Sequence, residues 1–142
     1  MKKKGFTLIE LLVVIAIIGL LSTLAVVALN SARQKARDAK RVADIKQIQT
    51  ALELYYNDQS GYPVATGTLG STNFACLGTA GFGAAACADV YMGLVPTNPT
   101  PNGADYVYTS TADDEYSITF NLEGTTGGLG SGARTASQNG IQ

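Results

Sequence analysis

Histidine and tryptophan are absent from these 142 residues. Without histidine there is no Ser-His-Asp triad, no Cys-His pair and no imidazole metal site. Cysteine occurs twice, at Cys76 and Cys87, too few for a four-ligand zinc centre. No carboxylates pair at a catalytic spacing and no cofactor loop is present, so the chain reads as a non-enzyme without a cofactor. Proline is confined to Pro63, Pro96, Pro99 and Pro101, and no charged residue occurs from Leu11 to Leu29. Positive charge is nearly missing from the distal part. After Lys46 only Arg134 stands against Glu53, Asp58, Asp89, Asp105, Asp113, Asp114, Glu115 and Glu123. Such a surface repels nucleic acid and anionic lipid, which argues against a nucleic-acid-binding head.

The apolar share is 46%, an ordinary value, but it is concentrated near the start. Leu11 to Leu29 is wholly apolar or small and, as a helix, spans about 28 Å, enough for a bilayer core. Lys2, Lys3, Lys4 and Gly5 precede it, followed by Phe6, Thr7, Leu8, Ile9 and Glu10. Residues 1–5 read as a processing leader. A secretory signal also begins with a basic tip, but this run is longer than a usual signal core and no small-x-small site closes it. An uncleaved anchor is the other reading. An acidic residue deep in a membrane costs roughly 3 kcal/mol, so Glu10 needs a partner that this chain alone does not supply. Gly19, Ser22 and Thr23 either let a neighbouring helix approach or mark a local unwinding.

Helical periodicity continues beyond the run. Ala36, Ala39, Val42, Ile45, Ile48, Leu52 and Tyr55 recur at spacings of three and four, with Arg37, Lys40, Arg41, Asp44, Lys46 and Gln47 on the other faces. Neither Gly nor Pro interrupts from Leu20 to Ser60, and Asn57-Asp58-Gln59-Ser60-Gly61-Tyr62-Pro63 is a stop signal. The pattern predicts one helix over residues 6–57, about 78 Å long, apolar over 6–29 and amphipathic over 30–57. The basic cluster Arg33 to Lys46 is either a solvated face or a surface that pairs with acidic groups of neighbouring copies, such as Asp113 and Asp114.

Residues 58–142 read as a head. Residues 64–88 are rich in Gly, Ala, Thr and Ser and read as a long irregular loop. If this part lies outside the cytoplasm, Cys76 and Cys87, eleven positions apart, read as a disulfide worth roughly 3 kcal/mol; two buried free thiols are the alternative. Tyr106 to Thr109 reads as a strand and Thr111 to Asp114 as a turn. From Glu115 to Glu123 apolar and polar residues alternate, with Tyr116, Ile118, Phe120 and Leu122 on one face. Residues 104–123 are therefore a β-hairpin whose apolar side matches the Ile45-Ile48-Leu52-Tyr55 stripe. Gly124 to Gly132 lacks the Gly-Lys-Ser/Thr of a phosphate loop and reads as a flexible loop. Ala133 to Ser137 reads as a short strand at the sheet edge, and the tail after it carries no signal.

Lys-Gly-Phe-Thr-Leu-Ile-Glu followed by Leu-Leu-Val-Val-Ile-Ala-Ile-Ile-Gly-Leu-Leu resembles the signal of type IV pilins and type II secretion pseudopilins. The resemblance runs ungapped over about the first thirty residues and implies a pilin-like α+β fold. In that fold one long N-terminal helix, hydrophobic in its first half, packs against a small antiparallel β-sheet head. It also implies that a prepilin peptidase cuts between Gly5 and Phe6 at the cytoplasmic face and that the new amine of Phe6 is N-methylated. Glu10 then becomes the fifth residue of the mature chain and meets the Phe6 amine of a neighbouring copy, as a registry contact. Literal counting of flanking positives puts the head in the cytoplasm; the resemblance implies the opposite, a single pass in the bacterial inner membrane with the head outside.

Pro-x-Asn-Pro, Gly, Tyr-x-Tyr and an alternating strand, at Pro96 to Leu122, are similar to the heads of major pseudopilins and short pilins. Secretion pseudopilins hold calcium in the distal loop, which makes Asp105, Asp113, Asp114 and Glu115 calcium candidates, although no spaced ligand series is present. Two departures stand out. Val27 occupies a region where many pilins have a helix-breaking proline, and many pilins carry their disulfide nearer the C-terminus.

The first functional reading is a structural subunit of a type IV filament serving adhesion, motility or DNA uptake. It is polymerised with copies of itself from the inner membrane by an assembly machinery. The alternative is the major pseudopilin of a type II secretion system. The third is a membrane-anchored binding module that never polymerises.

Overall fold

The computed structural model describes Met1 and residues 5–142; Lys2 to Lys4 of the leader lie outside the described residues. The chain divides into two compact units, residues 1–34 and 35–142. A single helix, α1 (Leu8–Gln59), contributes to both.

In the first unit α1 opens with a capping box. The Thr7 hydroxyl accepts from the Glu10 N–H at 3.3 Å, and the Glu10 carboxylate accepts from the Thr7 N–H at 2.8 Å. The apolar residues that follow, from Leu8 to Leu29, are exposed all round the helix. This part of α1 is long and apolar enough to cross a membrane. The helix runs unbroken through Gly19, so the lone chain shows no unwinding there. Ser22 and Thr23 donate back to the carbonyls of Ile18 and Leu20 at 2.7 and 2.8 Å, which satisfies both hydroxyls within the helix.

The second unit is built on the distal turns of α1. Ile45, Ile48, Ala51 and Leu52 are buried, as the periodicity requires. Towards the N-terminal side the expected stripe is wrong. Ala36 and Ala39 are exposed, while Asp38, Arg41 and Asp44 are buried. The reason is phase. At about 100° per residue, Arg41 and Asp38 fall within 40° of Ile45, and Ala36 falls on the opposite side.

Gln59 ends α1 two residues later than expected. Ser60 takes a left-handed conformation, φ 60°, and its N–H donates to the Tyr56 carbonyl at 2.8 Å. Gly61 then passes so close to the sheet that a Cβ would lie 2.9 Å from the Asp113 Cβ, and the Tyr62 N–H donates to the Asp113 carbonyl at 2.7 Å.

The described residues of the head form eight strands. They are β1 (Ala65–Thr68), β2 (Cys76–Gly78), β3 (Gly81–Gly83), β4 (Val90–Met92), β5 (Val107–Ala112), β6 (Glu115–Leu122), β7 (Gly132–Ser137) and β8 (Gly140–Ile141). The main antiparallel sheet has the order β1-β5-β6-β7-β8, and a small one has the order β3-β2-β4. The hairpin of β5 and β6 pairs Tyr108 with Ile118, and Asp113 and Asp114 form its turn. Tyr116, Ile118, Phe120 and Leu122 are buried with Ile45, Ile48 and Leu52 in one core.

Three expectations need correction. Residues 64–88 are not an irregular loop. They hold β1, a 3-10 turn at Thr72–Phe74, β2 and β3, and β1 pairs with β5 as part of the main sheet. The signal was hidden because these strands are short and rich in glycine and alanine. Second, β7 is not an edge, because β8 pairs outside it. Third, the tail therefore does carry structure, and Ile141 packs against the core.

Ile48 sits fully inside the contact between α1 and the sheet, where no water can fill a vacancy. Ile48→Ala is expected to lower head stability by about 2–4 kcal/mol in urea unfolding followed by tyrosine circular dichroism. Ala36→Ser, on the exposed side, should change it by less than about 0.5 kcal/mol. Equal losses at the two positions would contradict the burial pattern.

Candidate functional site

Two constellations deserve description as sites, one in each unit. The first is the N-terminal motif. Gly5 and Phe6 lie just ahead of the helix, outside any regular element, and both are exposed. Phe6, Ile9, Glu10, Val13 and Val14 line an open apolar groove. The Glu10 carboxylate is not without partners in the lone chain. Besides the Thr7 N–H it accepts from the Thr7 hydroxyl at 2.6 Å. The expectation that this chain supplies Glu10 with nothing is therefore corrected: its own helix cap does.

The second constellation was not visible in the sequence reading. Arg41 is completely buried, and all five guanidinium N–H groups find acceptors. Nε donates to Asn98 Oδ1 at 2.7 Å. Nη1 donates to Asp38 Oδ1 and to Glu123 Oε1, both at 2.7 Å. Nη2 donates to the carbonyls of Pro99, at 3.0 Å, and Asn102. Asp38 in turn accepts from the N–H groups of Glu123 and Gly124 at 3.0 and 2.8 Å. Glu123 takes two more bonds from Arg37, at 2.7 and 2.6 Å, and one from the Asn102 amide at 3.0 Å. Two carboxylates thus face two guanidiniums, and the cluster is neutral. It ties α1 to the end of β6 and to the segment from Asn98 to Asn102.

This overturns both readings of the basic cluster for Arg37 and Arg41. They are neither a solvated face nor reserved for Asp113 and Asp114 of another copy. Their partner is Glu123 of the same chain. Lys40 pairs with Asp44 at 2.9 Å, and Asp44 also accepts from the buried Tyr106 hydroxyl at 3.2 Å. A signal for the cluster did exist: Asp38 and Arg41 stand three apart, in phase with Ile45.

Cys76 and Cys87 are joined as a disulfide that closes β2 onto the segment ahead of β4. Phe82 of β3 packs edge-on against Tyr108 of β5, with ring centroids 4.8 Å apart, which seats the small sheet on the main core.

The calcium candidates are not brought together. Asp105 precedes β5 and Asp113, Asp114 and Glu115 follow it, so by strand rise they stand roughly 25 Å apart. Among the described residues no three His, Cys, Asp or Glu side chains are grouped to hold a metal ion. The distal loop from Gly124 to Gly132 contains no carboxylate at all. This donor set does not fit calcium.

Comparison with known proteins supplies the rest. Residues 1–26 match the prokaryotic N-terminal methylation motif, and residues 28–137 match the family model of type II secretion system protein G. A type II secretion system core protein G from Vibrio cholerae serotype O1 is 34% identical over 150 aligned residues, covering 93% of this chain and 89% of that protein. Core protein G of Escherichia coli strain K12 is 45% identical over 62 residues, and that of Dickeya chrysanthemi 40% over 70 residues. Those two alignments span 43% and 46% of the relatives' own length, less than half of each. No solved structure matches.

The polar cluster sets a pH profile. Glu123 is held far below its ordinary value of 4.5, first by the bonds from Arg37 and then by those from Asn102 and Arg41. Its stabilising contribution is complete above about pH 4.5 and is lost as pH falls toward the depressed native value. Burial pushes Tyr62, Tyr106 and Tyr108 well above their ordinary value of 10.0, and Tyr116 up to about 12. The unfolded chain releases those protons from about pH 10 upward while the folded chain keeps them, so stability falls on the alkaline side as well. With no histidine, the unfolding midpoint is expected to be flat from about pH 5.5 to 9. Glu123→Gln should flatten the acid limb. A step near neutral pH in a thermal melt series would contradict this assignment.

Proposed function

The chain belongs to the type II secretion system protein G family, and from that premise we propose that it is a structural subunit of a secretion pseudopilus. It has no catalytic role. Its partners are copies of itself, a prepilin peptidase and the assembly machinery of the inner membrane. Of the two filament classes that the sequence leaves open, the family match favours the pseudopilin over a pilus for adhesion, motility or DNA uptake.

One observation carries the proposal. From Leu8 to Leu29 the chain covers none of its own apolar side chains, all the way round the helix. Water does not tolerate that surface, and a bilayer does. A filament core does so equally well, because neighbouring helices replace the lipid. The subunit is held in the inner membrane by this segment, with its head on the outer side, until it is extracted into the filament. Cleavage between Gly5 and Phe6 then has a purpose. It removes the lysines and creates a cationic amine at Phe6, four residues before Glu10.

Two measurements test this. The mass of the chain recovered from its native host is expected to begin at N-methylated Phe6. A chain still carrying Lys2 to Lys4 would count against the family processing. Second, Glu10→Leu is expected to insert into the membrane normally and to fail in pseudopilus assembly, scored by cross-linking into ladders of copies. A membrane-anchored binding module would instead tolerate or benefit from losing the charge. Normal ladders from that variant would sink the assembly role of Glu10.

A further inference from the structure

We propose that Arg41 is a built-in cation for this head, occupying an oxygen cage of the kind that elsewhere holds a divalent metal ion. The cage has five acceptors drawn from three separate segments. They are two carboxylates (Asp38 and Glu123), one side-chain amide oxygen (Asn98) and two backbone carbonyls (Pro99 and Asn102). That mixture of carboxylate, amide and carbonyl oxygens is the ligand chemistry of a hard cation such as calcium. Here the cation is a guanidinium with no exposure to solvent, and each of its donors is used.

The loop is shaped around it. Gly103 has φ +93°, and a Cβ there would lie 2.8 Å from Arg41 Nη2 and 3.0 Å from Asn98 Oδ1. The chain therefore wraps the guanidinium with no room for a side chain, as a loop wraps an ion. The acidic residues that resemblance marks for calcium do not converge, and the distal loop has no carboxylate. The segment from Asn98 to Asn102 thus closes on a cation that is covalently attached. Unlike a bound ion it cannot dissociate, and the order of the Asn98 to Asn102 segment does not depend on free divalent cations. This inference concerns the head alone and stands whether or not the chain polymerises.

The test uses the full chain in detergent micelles, with thermal unfolding followed by tyrosine circular dichroism in excess calcium chloride and in excess EGTA. For the natural sequence the two midpoints are expected to agree within about 2 °C; a rise of more than about 5 °C with calcium overturns the proposal. Arg41→Ala empties the cage, leaving Glu123 with Arg37 and the Asn102 amide and Asp38 with only the N–H groups of Glu123 and Gly124. Its midpoint in EGTA is expected to fall by about 10 °C or more, or the head fails to fold, and a fall under about 2 °C overturns the proposal.

The deciding comparison is the variant in the two buffers. A merely structural arginine gives no calcium response when removed, whereas a cation cage does. Calcium, but not sodium at equal ionic strength, is expected to raise the Arg41→Ala midpoint by about 5 °C or more, or to restore the fold. Arg41→Gln, which keeps most of the volume, carries the same comparison. Absence of a calcium response in both variants overturns the assignment, whether they fold or not.

Discussion

A guanidinium taken out of water costs several kcal/mol unless its charge and all its donors are answered. Much of the head follows from how Arg41 meets that condition. No single segment could do it. Asp38 lies on the same helix, one turn earlier, and supplies one carboxylate oxygen. The end of β6 supplies Glu123, and the turns before β5 supply one amide and two carbonyl oxygens. The strand end and the loop are therefore held where the helix needs them. The carboxylates are tied down in the same way. Asp38 is fixed by the N–H groups of Glu123 and Gly124, so the strand that provides one acceptor also orients the other. Removing Arg41, or the carboxylate of Asp38 or Glu123, takes a charge partner from the rest of the cluster.

The apolar core and this polar cluster divide the distal part of α1 between them. From Ile45 to Leu52 the helix meets the sheet through ordinary hydrophobic packing against Ile118, Phe120 and Leu122. From Arg37 to Asp44 the same face meets it through charge. Packing of the first kind tolerates substitution among shapes of similar volume. The second kind fixes a particular arrangement, because only one set of positions satisfies five donors. The disulfide of Cys76 with Cys87 and the contact of Phe82 with Tyr108 then seat the small sheet on this frame.

Much of the fold could be read from the chain before its structure. The long helix, the β5–β6 hairpin and the match between their apolar faces all come from periodicities sustained over many residues. β1 to β3 could not be read, because Ala65–Thr68, Cys76–Gly78 and Gly81–Gly83 are too short to show alternation and too poor in branched residues to show propensity. The polar cluster was missed for a different reason. Hydrophobic periodicity looks for apolar residues, so it preferred Ala36 and Ala39 and set Arg41 aside as surface. A buried charge is legible only when its partners are known, and Glu123 stands 82 positions away. Pairing of that range is settled by topology, and the local sequence does not contain it.

The N-terminal motif shows the same limit at short range and changes what Glu10 means. An unpaired carboxylate in a membrane is expensive, which at first makes the neighbour's Phe6 amine look indispensable to Glu10 at all times. The capping box alters that balance. In the lone chain the Thr7 N–H and hydroxyl already answer the carboxylate, and the bond to the N–H is one that the helix start needs anyway. The lone chain therefore leaves no orphaned carboxylate at Glu10. What the proposed filament offers is the difference between hydrogen bonds to a neutral residue and a pairing with a full positive charge. At low dielectric a charge-assisted bond is the stronger of the two, which is how the proposed contact would favour one register. Under the proposed function, the Phe6 amine of another copy would take the place that Thr7 holds at the Glu10 carboxylate in the lone chain.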